Sequence, residues 1–417
     1  VNENLSTIFF VLAIIHTFLV STFRRMAHRF RKGSPANNFF HLLGEVEVVF
    51  GLWAAAFFLL YSFLESAEKS IERLESTHFE EAVFVFVIMA MASSKPILDL
   101  TRYMMAQVSS YIPLPRARAL TFAVVTLGPL LGSFITEPAA MTVSAFLLLP
   151  ILSSPEVRTR SRYLLLGLLF VNVSIGGTLT HFAAPPVLVV ARPWEWTTAS
   201  VFSNIGWRAI VAVFISSVLV TSVIRRELDE VSVADPRRIN GPKPIWNAYI
   251  HLGFIGLAVL SSHHITVLFA LFLFFLGWVA VTAEHQNELN LRDALLVGFF
   301  LAGLMSLGNF QSWWIKPLLV SLPPQLLFWG ATILTAISDN ALLTYLGTLV
   351  PELTDTQKLG LVRGAVCGGG LTVIANAPNP IGFSVLGKAF GENGIHPLGL
   401  LLGAAIPTLI AAVLFNI

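Results

Sequence analysis

Apolar runs close to the length of a bilayer crossing recur along this chain, at residues 5–23, 40–64, 82–109, 163–191, 205–224, 245–261, 265–282, 294–308, 359–386 and 396–416. A helix rises about 1.5 Å per residue and the hydrocarbon core is ~30 Å thick, so about 20 apolar residues cross it once. Backbone amides and carbonyls find no water in that layer, which leaves helices as the form these runs can take. The expectation is an all-α polytopic membrane protein of about ten spans. Composition decides one further point: only 12% of the 417 residues are charged, about half the share of a soluble domain, which excludes a soluble enzyme. A net charge of +2 implies no nucleic-acid-binding face, and a single cysteine, Cys367, excludes a disulfide framework. No Walker, kinase or nucleophile-elbow motif occurs, so neither an ATP-driven pump nor an enzyme is expected, and no cofactor. The run 5–23 lacks a basic stretch before it and an Ala-x-Ala site, and reads as a mature span with an external N-terminus.

Two further apolar stretches, 119–150 and 323–350, are too long for one crossing, and each is split by a polar centre, Thr136-Glu137-Pro138 and Ser338-Asp339-Asn340. The arms after the split, about 13 and 11 residues, reach only ~16 to 20 Å, so both stretches read as re-entrant helical hairpins. Loop charges agree. Arg24, Arg25, Arg29, Arg31 and Lys32 put the loop after the first span in the cytoplasm, and the acidic loop with Glu65, Glu68, Glu72, Glu75, Glu80 and Glu81 falls outside. Arg116 and Arg118 precede the first hairpin and Arg158, Arg160 and Arg162 follow it, so both its ends face the cytoplasm. The second hairpin is followed by Glu352 and Asp355, which suits the outside.

Internal similarity links the two halves. Thr136-Glu137-Pro138-Ala139-Ala140-Met141-Thr142 matches Ser338-Asp339-Asn340-Ala341-Leu342-Leu343-Thr344, and Gly176-Gly177-Thr178-Leu179-Thr180 matches Gly368-Gly369-Gly370-Leu371-Thr372. Each half reads span, span, hairpin, broken span, span, with the second inverted. The expected division is an N-terminal helix and basic loop (1–39), a first repeat (40–224, hairpin 119–150, broken helix 163–191), a cytoplasmic linker with an extra helix (225–264) and a second repeat (265–417, hairpin 323–350, broken helix 359–386).

Glycine and proline runs inside a span free backbone groups, which is tolerated only where the segment is buried in protein or lines a watery cavity. Gly176 lies 14 residues after Arg162, or roughly 21 Å of helix, past mid-membrane and beside the hairpin tips. Freed carbonyls and the hydroxyls of Thr178, Thr180 and Thr372 are hard oxygen ligands of the kind that hold sodium. Glu137 and Asp339 stand out most, because insertion scales give ~2.5 to 3.5 kcal/mol for a carboxylate at the centre of a span. A structural pairing with Lys95, Lys316 or Arg363 is the plainer alternative. Two carboxylates at matched tips favour a cation, since an anion would meet like charge in a low dielectric. Burial and mutual repulsion both favour protonation of at least one of them, as competition between H+ and Na+ requires. Asn340 and Asn376 offer amide oxygens; His181 either relays protons or bonds freed backbone. Lys95 and Asp99, around Pro96, either line the cavity or reach the cytoplasmic interface, and Arg363 either neutralises Asp339 or reaches headgroups.

At these motifs the chain resembles the ion transporter superfamily over residues 40–416. Ser338-Asp339-Asn340 with Thr344 is similar to the Asp-Asn-x-x-x-Thr tips of its sodium/proton and arsenite branches, and Pro185-Pro186 and Ala377-Pro378-Asn379 resemble the Pro-Pro-Asn that follows its broken helices. The overall pattern is most similar to the bacterial putative Na+/H+ antiporter family. The resemblance implies secondary transport, a scaffold with a mobile transport region, and a homodimer. The chain departs from it at Glu137-Pro138, where relatives carry Asp-Asn or Ser-Asn-Thr, and at Val187 in place of Asn. The resulting expectation is a Na+/H+ antiporter of the bacterial inner membrane in which Glu137 and Asp339 bind Na+ or H+ alternately, helped by Thr136, Thr142, Ser338, Asn340, Thr344 and the broken helices. Rival readings are a Na+-coupled anion symporter of dicarboxylate type or an arsenite-type extruder on the same scaffold and, further away, a channel or a non-transporting scaffold.

Overall fold

The computed structural model describes residues 2–77, 79–391 and 394–417, and every regular element among them is helical. This is the all-α polytopic membrane fold that the apolar runs demand. Among the described residues, seven single helices are long and apolar enough to cross a bilayer: Asn4–Ala27, Val46–Leu64, Arg116–Ile135, Thr159–Leu179, Thr198–Val223, Leu291–Gly308 and Pro397–Phe415. An eighth candidate is the pair Glu80–Ala92 and Lys95–Tyr111, bent by 66°. The bend falls where the sequence interrupts the run: Ser94 is extended and Pro96 sits in the first turn of the new helix, where its missing N–H is harmless. Ile245–Leu260 and Ile265–Val281, of 16 and 17 residues, are shorter apolar helices.

Three local features differ from the sequence expectation. The run 40–64 is not continuous: Pro35–Leu43 ends on Gly44, and a 3-10 turn at Val46–Val48 leads into Val49–Leu64. Gly44 marks a close approach, since a Cβ there would lie 2.7 Å from Arg24 Cγ. The span expected to begin at 205 starts earlier, at Thr198, and passes through a π-helical turn at Phe202–Gly206. Ala67–Glu75 and Ser312–Val320 are helices in stretches that a search for ~20-residue apolar runs passes over. Ser66 caps the first by accepting from the Lys69 amide.

Compact packing divides the chain into two units, each taking segments from both halves of the sequence. One comprises Val1–Phe86, Leu291–Leu322 and Tyr345–Leu353. Its helices Val49–Leu64 and Leu291–Gly308 cross at Gly51 and Gly303, where a Cβ on Gly303 would overlap the backbone of Phe50 and Gly51. Phe10, Phe50 and Phe300 pack edge to face beside this crossing.

The other unit comprises Val87–Asn290, Pro323–Thr344 and Thr354–Ile417, and holds every candidate site residue. Its central helix, Thr159–Gly176, is buried from Leu165 onward. Asn172 in its middle is satisfied on both sides, donating to Val125 O and Ser217 Oγ and accepting from Ser216. Arg116–Ile135 and Glu137–Leu152 form an antiparallel helical hairpin. Gly128 faces Ser144, and a Cβ on Gly132 would lie 3.2 Å from Ala140 Cβ, so pairing closes symmetrically on Thr136. A different register joins Pro324–Thr335 to Asp355–Gly368. Gly360, Gly364 and Gly368 face the carbonyls of Pro324, Phe328 and Thr332, a constant offset that only parallel helices in backbone contact can hold.

Candidate functional site

The first hairpin turns on one residue. Thr136 lies at φ 74°, ψ 148°, a region disfavoured for a β-branched side chain and worth about 1 to 3 kcal/mol of strain. That turn starts a new helix with Glu137 in its first turn and Pro138 next to it, where proline fits. Glu137 is fully buried, at 0% exposure. Its Oε2 accepts from Asn376 Nδ2 at 2.9 Å, its Oε1 has no hydrogen-bond partner, and no basic side chain pairs with it among the described residues. The Thr136 hydroxyl beside it is also buried and unpartnered.

The second tip is built differently. Asp339 is half-buried and its Oδ1 accepts from the amides of Ala341 (2.8 Å) and Leu342 (3.2 Å), capping Asn340–Thr348. Asn340 is buried, and its backbone N–H donates to Ala375 O at 3.1 Å while neither atom of its side-chain amide has a partner. The neighbouring pair Ala375-Asn376 therefore touches both tips, one through a carbonyl and the other through a side chain. Asp339 is also within electrostatic reach of Glu137.

Both helix breaks are held from within the protein, as irregular backbone at membrane depth must be. In the first, Ser133 Oγ donates to Gly176 O (2.7 Å) and accepts from the Leu179 amide (2.8 Å), and Thr180 Oγ1 donates to Ser133 O (2.7 Å). Thr178 Oγ1 donates to Ile175 O. In the second, Asn379 Nδ2 donates to Gly369 O (2.7 Å) and Thr372 O (2.8 Å), and Thr372 Oγ1 donates to Ala336 O (2.8 Å). Ser133 and Asn379 are roles that sequence reasoning missed. A serine three residues before the Thr136 turn, and an asparagine after the second break, were the available signals.

Buried oxygens without a partner at the tips and breaks include Glu137 Oε1, Thr136 Oγ1, Asn340 Oδ1, Asn376 Oδ1 and Asn379 Oδ1. Leaving such an atom unsatisfied costs about 1 to 3 kcal/mol, and together they are a hard-oxygen set of the type that suits a small cation. The other expected ligands are less committed. Thr142, Thr344 and Ser338 donate to carbonyls on their own helices, at Pro138, at Asn340 and Ala341, and at Leu334, which leaves only lone pairs to offer. His181 Nδ1 meets Thr198 Oγ1 at 2.6 Å, not freed backbone. Lys95 is exposed, Asp99 pairs with Arg102 at 3.2 Å, Lys316 pairs with Glu352, and Arg363 donates to Phe415 O and Asn204 O. None of the three basic residues weighed as structural partners is paired with Glu137.

A family model described as "putative Na+/H+ antiporter" matches residues 3–417. No curated protein matches the chain. Carried on a fold of membrane-crossing helices, a match of that extent makes the protein a multi-pass membrane transporter, and the chain belongs to the putative Na+/H+ antiporter family.

Proposed function

We propose that this transporter exchanges Na+ for H+ across the bacterial inner membrane by alternating access, with Glu137 as the group that carries one or the other. The observation that carries this reading is the linkage of the two hairpin tips through Ala375-Asn376 around a fully buried carboxylate that has no basic partner among the described residues. An ionised carboxylate alone in such a place is costly, so it holds a proton or a cation, and the two exclude each other. Mutual exclusion at one group is the chemical requirement for exchange.

In this reading Na+ is bound by Glu137 and by the amide and hydroxyl oxygens of Asn340, Asn376 and Thr136. Asp339 adds charge from a short distance and Thr142, Ser338, Thr344, Thr178, Thr180 and Thr372 contribute lone pairs or hold the breaks. The two halves act as inverted repeats whose hairpins enter from opposite faces, moving against a scaffold in a homodimer. An anionic substrate is disfavoured by the negative charge of both tips.

The test is purified protein in liposomes with a trapped pH dye. Adding Na+ outside is expected to alkalinise the lumen as Na+ enters and H+ leaves, whereas choline gives no signal. An unchanged lumen pH, or Na+-dependent succinate uptake in its place, overturns the reading.

A further inference from the structure

Each broken helix ends in a run of glycines as its chain unwinds, Gly176-Gly177 and Gly368-Gly369-Gly370. Conformation does not require them. Gly176 (φ −70°, ψ −22°), Gly177 (φ −68°, ψ −5°) and Gly369 (φ −63°, ψ −17°) are all right-handed helical, where any residue fits. The reason is space, and the space is used in two ways. At Gly176 a Cβ would lie 2.8 Å from the Pro129 carbonyl carbon, and at Gly368 it would lie 2.9 Å from Thr335 Cβ; these are contacts of helix packing.

Gly177 is different, because what it faces is the buried carboxylate. A Cβ there would lie 2.5 Å from Glu137 Oε1, 2.6 Å from its Cγ and 2.9 Å from its Cδ. Glu137 cannot yield freely, since it is fully buried and its other oxygen is held by Asn376. The space a side chain would need is thus taken by Glu137 itself, and a methyl at residue 177 would push aside the Glu137 oxygen that has no hydrogen-bond partner.

We propose that Gly177 is a specificity-determining residue of the ion site: its missing side chain lets the Glu137 carboxylate lie against the first break, which sets where Oε1 meets the cation and so the size of ion it accepts. This rests on Glu137 being the ion ligand. Gly369 provides the built-in contrast, because a Cβ there would overlap Ser174 Oγ first and lie 3.0 Å from Asn340 Nδ2, away from the carboxylate.

The experiment is a double-variant cycle in liposomes, with Na+ and Li+ as the probes. Gly177→Ala is expected to raise the half-saturating Na+ concentration about tenfold or more and the Li+ value less, shifting preference toward the smaller ion about threefold. Glu137→Asp withdraws the carboxylate by one methylene, so Gly177→Ala/Glu137→Asp is expected to recover part of what Gly177→Ala lost, a non-additivity that mere helix stiffening would not produce. Gly369→Ala is expected to be relieved by Ser174→Ala and not by Glu137→Asp. Half-saturation within about twofold of the parent in Gly177→Ala, or strict additivity with Glu137→Asp, overturns the proposal. Should Gly177→Ala not accumulate folded, a double variant that folds and responds to Na+ supports it, and one equally unfolded overturns it. Melting of the same proteins with and without Na+ reads binding apart from exchange. A parent stabilised by Na+ that moves no protons overturns the exchange reading alone, and the cycle is then decided on binding.

Discussion

Hairpin tips that match in sequence place their carboxylates in unlike surroundings. Glu137 is sealed from solvent, shares one oxygen with a side chain 239 positions away and keeps the other unpartnered. Asp339 is half-buried and uses an oxygen to cap the helix it begins. The extra methylene of Glu137 lets its carboxylate leave its own helix terminus and reach the neighbouring break, whereas the shorter aspartate folds back on the nearest amides, as N-cap residues do. In the proposed exchange, matched positions thus divide the work: one carboxylate would meet the ion, and the other would shape a tip and add field.

Removing the charge at each position in turn is the strongest way to break this contrast. Glu137→Gln keeps size and loses charge, and is expected to lower Na+-driven proton movement about 100-fold or more, read by the trapped dye. Asn376→Ala, which frees Glu137 Oε2, is expected to raise the half-saturating Na+ concentration about tenfold. Asp339→Asn retains a good capping oxygen, so melting should stay unchanged while Na+ affinity drops only about threefold; Asp339→Ala should in addition cost about 1 kcal/mol of stability. A loss in Asp339→Asn as deep as that in Glu137→Gln would remove the asymmetry altogether. The smallest effect is expected away from both tips, at a contact outside the spans. There burial pushes the Glu227 carboxyl up, but the Arg158 guanidinium and amide and the Ser161 hydroxyl outweigh it and hold it below its ordinary value. A lowered carboxyl stabilises the fold above its ordinary range and loses that contribution as pH falls through it. Melting between pH 7 and pH 4 should therefore decline less in Arg158→Ala than in the parent, by about 1 kcal/mol or less because Arg158 is largely exposed, with exchange unaffected.

Much of this was legible in the sequence because it is local. Thr136, Ser338-Asp339, Gly176-Gly177 and Gly368-Gly369 interrupt apolar runs, and the helices break at those residues. Lengths were less legible: Arg116–Ile135 spans 20 residues, enough to reach ~30 Å, though the run had been divided as if it began later. Ala67–Glu75 escaped notice because its sequence is polar and its helix short. What the sequence could not convey was pairing at a distance. Nothing in Asn376 announces a bond to Glu137, nothing in Ser133 announces that it holds both sides of a break, and a basic residue such as Arg363 looks equally suited to a carboxylate and to the main-chain carbonyls it binds.

Gly360, Gly364 and Gly368 bear on movement as well as on packing. With backbones in contact along three successive turns, Pro324–Thr335 and Asp355–Gly368 have no layer of side chains between them to shear, and sliding by less than a full turn would drive each glycine into a neighbouring residue. Any displacement of one must carry the other. The second tip hangs from the end of the first helix and the second break from the end of the other, so in the proposed exchange cycle the oxygens they bear would travel as a finished object, their mutual spacing kept while the water around them changes sides.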